Sequence, residues 1–364
     1  MSEQIEQKKG VLEKEIAIGG VTLTQKALLA RHLAVMLKSG LTITEALNLV
    51  ETSATGKLKG VLRSVLKSVR AGRSLSSSLG DYQRFFSGLF INATLAGESS
   101  GTLEENLENI AKQLEKEREL ISKIKGAMLY PIVVLVAAFV LAIILSFVIL
   151  PKITPLFEGL KADLPVTTRV LIWFSHFIED HGLILFILLI AVIILTVWLV
   201  RQRWVRPVTH WLFLKLPIIK KLVIHTNLAR FSRTLGTLIK SGLNLDEAVN
   251  ITAQTMSNYY YGKALSQSGQ RISKGIKLSD NLIYFKDIFP ALVVKMIKVG
   301  EGSGRLEEVL FYLADFYESE VDTSTKTLST AIEPVLLIFI GLVVGFLALS
   351  IITPIYNITG NIGG

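Results

Sequence analysis

The side chains with the chemistry to act on a substrate are few and scattered in this sequence. Cysteine is absent from the 364 residues, so no thiolate nucleophile, thiolate metal site or disulfide is available. The five histidines are His32, His176, His181, His210 and His225. None has the H-E-x-x-H spacing that sets two imidazoles on one helix face, and they read as structural. Two Gly-Lys steps fail as phosphate loops. Gly56-Lys57 is followed by Leu58 and Gly262-Lys263 by Ala264, where the loop needs a Ser or Thr hydroxyl for Mg²⁺. The reading is therefore no catalytic residue, no cofactor site, no metal site and no enzyme.

What does stand out is a short motif that occurs twice. Gly97-Glu98-Ser99-Ser100-Gly101-Thr102-Leu103 is matched by Gly300-Glu301-Gly302-Ser303-Gly304-Arg305-Leu306. The glycines allow positive φ, and a Glu near a helix N-terminus is stabilised by the helix dipole. This predicts a flexible turn leading into a helix, with Gly97, Glu98, Gly101, Leu103, Gly300, Glu301, Gly304 and Leu306 as a structural or interaction motif. A turn and cap, a partner contact and a metal ligand all stay open for it. Thr102-x-x-Glu105 also fits a capping box at the helix start.

The elements that must carry these turns are also duplicated. Lys38–Ala46 (KSGLTITEA) matches Lys240–Ala248 (KSGLNLDEA) at an offset of 202. The Gly-Glu motifs, Gly72 with Gly275, and Phe86 with Phe289 match at 203. Leu103, Leu107, Ile110 and Leu114 lie on one helical face, and Leu306, Leu310, Leu313 and Tyr317 repeat them. Alternating polar and apolar runs are scarce, so each module reads as about six short helices without strands.

Three apolar blocks interrupt the charged sequence: 128–150, 183–200 and 334–353, each long enough to cross a bilayer. Prolines pair at their edges. Pro131 matches Pro334, and both are expected in the first turn of a span, where the missing N–H costs little. Tyr130 and Glu333 precede them. Residues 1–127 hold 18 Lys and Arg, residues 201–333 another 18, and the loop 151–182 only three. Basic residues collect on the cytoplasmic side, so both modules are expected there. The net charge of +9 then marks topology and attraction to lipid headgroups, and no nucleic-acid partner is expected.

The fold expected is an all-α membrane protein: two homologous cytoplasmic helical-bundle modules and three transmembrane helices. Its divisions are a lead-in at 1–20, a module at 21–127, a span at 128–150, an extracytoplasmic loop at 151–182 and a span at 183–200. A second module at 201–333, a span at 334–353 and an extracytoplasmic tail at 354–364 follow. Residues after Pro165 are expected to form an amphipathic helix at the outer membrane face, with Trp173 at the interface.

Each module opens on R-x-L-x-x-L/M-x-x-S-G-L. In the first copy this is Arg31, Leu33, Met36, Ser39, Gly40 and Leu41, and in the second Arg233, Leu235, Leu238, Ser241, Gly242 and Leu243. With the Gly-Glu turns and the Tyr130-Pro131 and Glu333-Pro334 span entries, nearly the whole chain resembles the type II secretion F protein and type IV pilus platform family. The resemblance implies an inner-membrane platform without catalysis of its own. Implied partners are a hexameric secretion or pilus ATPase, pilins or pseudopilins, other inner-membrane assembly proteins, membrane lipids and further copies of the chain as a homo-oligomer. A transporter subunit driven by a separate ATPase is the alternative. The absence of Asp, Lys, Arg and His from the spans argues against an ion pathway.

Overall fold

A computed structural model describes residues 20–144, 152, 155, 166–202 and 204–362. Among them every regular element is helical. The first repeat contains α1 (Leu23–Lys38), α2 (Ile43–Ser53), α3 (Gly56–Arg70), α4 (Leu75–Gly80), α5 (Gly88–Ser100) and α6 (Leu103–Ile144). Then come α7 (Val166–Arg201) and α8 (Arg206–Lys215). The second repeat contains α9 (Pro217–Lys240), α10 (Leu245–Thr255), α11 (Tyr259–Ile272), α12 (Leu278–Leu282), α13 (Ala291–Ser303) and α14 (Leu306–Ile362).

Local sequence explains the boundaries. Thr22 with Gln25 and Thr42 with Glu45 form complete capping boxes at the starts of α1 and α2. In the second repeat Asn244 stands where Thr42 does, and α10 instead opens with Asp246 and Glu247 against its dipole. The equivalent glycines Gly40 and Gly242 end α1 and α9 with φ of +88° and +89°, a conformation that side chains disfavour. Along α3, Leu58, Val61, Leu62, Val65 and Leu66 form one buried stripe at helical spacing.

The chain forms two compact units. One comprises the residues through Ser122 together with Lys220–Val321, so the two repeats pack into a single body. The predicted helical face is part of its core: Leu107, Ile110, Leu114, Leu310, Leu313 and Tyr317 are all buried. The other unit is Lys123–Ile219 with Asp322–Gly364. Within it, Lys123 donates to Asp322 at 2.8 Å, linking α6 to α14.

The expected helix starts at Pro131 and Pro334 are corrected. Pro131 lies inside α6, a continuous helix of 42 residues, and Pro334 inside α14, of 57 residues. The apolar composition begins near these prolines, but the helix does not. Charged residues of α6 such as Glu117, Arg118 and Glu119 favour helix as well as the apolar ones do, so nothing ends it between module and apolar stretch. Each proline therefore removes a backbone donor from a helix interior. Likewise α7 begins at Val166, with no proline from there to its apolar part, and the expected interfacial helix is its first portion. Trp173 is exposed there and stacks on Phe177 at 5.6 Å. Residues 354–362 continue α14. The lead-in 1–19 and most of 151–165 lie outside the described residues.

Two described helices are long and apolar enough to cross a membrane, Leu103–Leu141 and Asp180–Val200, and the apolar stretch within each is almost wholly unburied. The third predicted span contains the shorter apolar stretch Leu336–Ser350. Leu129, Val133, Val136, Leu188, Leu337 and Leu342 are among the exposed side chains. Apolar surface of this extent calls for an apolar solvent.

Candidate functional site

The repeated Gly-Glu motif is a helix end. Gly97 through Ser100 close α5, and Gly101 caps it in the left-handed conformation at φ +74°. Gly304 does the same for α13 at +71°. The first glycine of each motif is needed for space. A Cβ on Gly97 would stand 2.8 Å from Leu103 Cα, and one on Gly300 would stand 3.0 Å from Leu306 Cα. The next helix thus leaves the turn pressed against the last turn of its predecessor, and Leu103 and Leu306 supply the backbone that the glycines touch.

Glu98 corrects the expectation that it lies by the N-terminus of the following helix. It sits at the C-terminal end of α5 and reaches back to cap a different helix. Its carboxylate accepts from Leu75 N at 2.5 Å and Ser76 N at 3.0 Å, and also from the Ser76 hydroxyl. These are the orphan donors of α4. Glu301 repeats this on α12, accepting from Leu278 N at 2.6 Å and Ser279 N at 3.0 Å. Short-range capping rules reach only three residues, so a cap from over twenty residues away is invisible to them. Thr102, expected to cap α6 with Glu105, instead shares a hydrogen bond with Ser100 at 2.7 Å.

The first copy also spells G-x-S-x-G over Gly97, Ser99 and Gly101, the pattern of a hydrolase nucleophile elbow. That elbow requires a strand-to-helix turn. Ser99 here is an exposed residue on the last turn of a helix, and the pattern carries no catalytic geometry.

Arg31 and Arg233 clamp the first helix of each repeat to the last. Arg31 donates to Glu115 at 2.7 Å and pairs with Glu108. Arg233 donates to Glu318 at 2.7 Å and pairs with Asp315. The shared partner is at equivalent positions, Glu115 and Glu318, while the second differs. Where the first repeat has Glu108 the second has Phe311, whose ring lies 5.7 Å from the Arg233 guanidinium. The Glu115 hydrogen bond pulls the Arg31 pKa above its ordinary value. For Glu108, burial pushes the carboxyl up, but the hydrogen bond and charge of Arg31 outweigh it and the net shift is down.

A third region joins the repeats. Gln113 on α6 donates to Thr234 at 3.1 Å and accepts from Thr237 at 3.3 Å, both on α9. Asn106 Nδ2 donates to the Ser241 carbonyl at 3.4 Å. Glu117 faces Arg230 at 3.5 Å and Lys116 faces Glu318 at 3.8 Å. Beside this seam lies a cavity of about 560 Å³, lined in part by Lys26, Gln83, Asn92, Gln113 and Arg230. Burial lowers the pKa of Lys26. The seam was not foreseen, although a signal exists. Asn106, Asn109 and Gln113 place polar groups along a helix whose repeat counterparts are Val309, Tyr312 and Phe316.

Of the span-entry residues, Tyr130 is exposed on α6 beside Pro131, which is buried. Glu333 and Pro334 lie within α14.

A duplicated helical body continuous with unburied apolar helices defines a class, that of membrane proteins built from repeated soluble modules. The sequence matches the family model of the type II secretion system (T2SS) protein F twice, over residues 29–151 and 231–354, and the chain belongs to this family. A type IV pilus assembly protein PilC of Thermus thermophilus is 36% identical over 344 residues, covering 94% of this chain and 84% of that protein. PilC of Myxococcus xanthus is 33% identical, covering 98% and 86%. A type II secretion system protein F of Aeromonas hydrophila is 35% identical, covering 93% and 87%.

Proposed function

We propose that the chain is the inner-membrane platform of a type II secretion or type IV pilus machine, coupling a cytoplasmic assembly ATPase to the assembly of pilins or pseudopilins. Both kinds of machine are named among its relatives. In this reading the two modules face the cytoplasm, as the Lys and Arg distribution favours. Three spans divide the chain at 128–150, 183–200 and 334–353, with the loop and tail outside. The role needs no catalytic residue.

The observation that carries the coupling is helix continuity. Twice, a helix clamped into the folded body by an arginine pair runs unbroken into an apolar stretch. A continuous helix is a stiffer rod than a flexible linker, which would dissipate displacement. Force delivered to the body by an ATPase would therefore reach the membrane segments, where hydrophobic subunits are handled.

The test interrupts the rod. A Gly-Gly-Ser-Gly insertion after Lys125 is placed in a host strain lacking its own copy. The variant is expected to insert in the membrane and to co-purify with the machine's ATPase, yet to lose pilus assembly or secretion. Full assembly with the insertion overturns the coupling.

A further inference from the structure

The seam between the repeats is not two-fold symmetric, and this leaves two faces uncovered. Helices α5 and α6 of the first repeat dock on α9 and α10 of the second. Were the relation two-fold, α13 and α14 would dock on α1 and α2 in return. They do not. Ile251, against which Gly88 packs, is 6% exposed, whereas its counterpart Leu49 is 52% exposed. Leu89 is 3% exposed and its counterpart Leu292 is 48%. Asn109 is 7% exposed and its counterpart Tyr312 is 59%. The seam is heterologous, with a donor face and an acceptor face, and each repeat shows the face that the other has covered.

The uncovered faces are also chemically changed in step. In the seam, Gln113 hydrogen-bonds with Thr237. The counterparts are Phe316 and Val35, an apolar pair, and both are exposed. Val309 replaces Asn106 on the donor face, and Leu49 like Val35 is exposed on the acceptor face. Large apolar side chains thus occur on both faces at the contact positions, where the seam itself uses amides and hydroxyls.

We infer that α13 and α14 of one copy dock on α1 and α2 of a second copy, repeating between chains the seam that joins the repeats within one. A heterologous contact closes into a ring if its rotation closes. The contact is independent of the coupling proposed above, since it needs neither ATPase nor pilin.

The chain has no cysteine, which makes thiol cross-linking clean. Two full-length versions with different tags, V35C and F316C, are co-expressed and treated in membranes with a short bismaleimide. The within-chain pair Q113C and T237C serves as the control for folding and reach. The expected result is a V35C–F316C cross-link between tags, with no homotypic V35C–V35C or F316C–F316C product. Homotypic products, or no product while the control pair reacts, overturn the proposal. A second arm uses Y312D/F316D. It should leave the control cross-link intact and weaken self-association in nanodiscs by about tenfold or more. Unchanged self-association overturns the proposal, and so does a loss of bound ATPase alone, which would assign the face to the motor.

Discussion

At equivalent core positions the first repeat places Leu29 and Leu58, and the second places Phe231 and Tyr261. Phe231 and Tyr261 pack on Phe289 at 5.3 and 5.2 Å, and the Tyr261 hydroxyl is satisfied by the Ile288 carbonyl at 2.6 Å. Phe86 holds the Phe289 position in the first repeat. Core volume has thus been redistributed while the backbone plan is retained. Residues that fix backbone geometry are common to both repeats. Gly97 and Gly300 permit a close approach, Gly101 and Gly304 reverse the chain, and Glu98 and Glu301 cap a remote helix. A helical core accepts any apolar filling of the right volume, whereas a close approach or a satisfied helix end admits few substitutes.

The largest difference between the repeats is expected at the close approach. Alanine at Gly97 meets Leu103 Cα and also Asn106 at 3.0 Å, while alanine at Gly300 meets Leu306 Cα and the side chain of Val309. Gly97→Ala must therefore disturb both the helix pair and the Asn106 contact to the other repeat. It should destabilise the folded body by about 3 kcal/mol, against about 1–2 kcal/mol for Gly300→Ala. Urea denaturation of the solubilised full chain measures both. Equal losses would show that the seam contributes nothing to the first repeat.

The arginine clamps come next. Arg233 is the more buried of the two, and its removal leaves Glu318, also largely buried, with the more distant Lys116 at 3.8 Å. Arg233→Ala should cost about 2–3 kcal/mol, and the more exposed Arg31→Ala about 1 kcal/mol. Acid sharpens the contrast. The Glu108 pKa is depressed when folded, so the unfolded chain binds the proton more readily. Its stabilisation is full above the unfolded value of about 4.3 and disappears as pH falls through the folded one. The urea midpoint between pH 6 and pH 3 should therefore fall less steeply for Glu108→Gln than for the parent chain. Parallel curves would remove Glu108 from the clamp.

The remote caps are expected to be weaker and more local. Glu98→Ala releases two backbone donors and a hydroxyl, and Glu301→Ala only two backbone donors. Losses of about 2 kcal/mol and about 1 kcal/mol follow. Hydrogen exchange at Leu75 and Ser76 in the first variant, and at Leu278 and Ser279 in the second, should accelerate ahead of the rest of the body. Uniform acceleration would make the glutamates general packing residues instead of caps.

These comparisons also show what the sequence could convey. The duplication, the helical period of Leu103 to Leu114 and the apolar blocks were legible because each is local and periodic. The charged run after the apolar face of α6 already indicated that the last helix of a module runs on toward the apolar stretch, but the interior positions of Pro131 and Pro334 were not legible, since a change in composition there imitates a helix boundary. Glu98 and Glu301 stood out in the repeated motif, but their target lies on another helix, and no spacing rule spans such a gap. The seam was hardest. Its polar residues gain meaning only when Asn106, Asn109 and Gln113 are set against their apolar counterparts in the other repeat.

The smallest effect tests the repeat comparison at a single hydroxyl. Ser76 and Ser279 occupy equivalent positions at the starts of α4 and α12, and both are buried. Ser76 donates its hydroxyl to Glu98, but the Ser279 hydroxyl has no hydrogen-bond partner. Removing a bonded hydroxyl loses a charge-assisted hydrogen bond, while removing a buried unsatisfied one relieves a desolvation penalty. Ser76→Ala should therefore destabilise by about 1 kcal/mol, and Ser279→Ala should be neutral or stabilising by a few tenths of a kcal/mol. The two single variants and the pair Ser76→Ala/Glu98→Ala in one denaturation series separate the terms. If Ser76→Ala adds its full loss on top of Glu98→Ala, the hydroxyl acts independently of the carboxylate. If the loss vanishes in the double variant, the two side chains form one cap, and the second repeat has kept that cap with its hydroxyl disengaged.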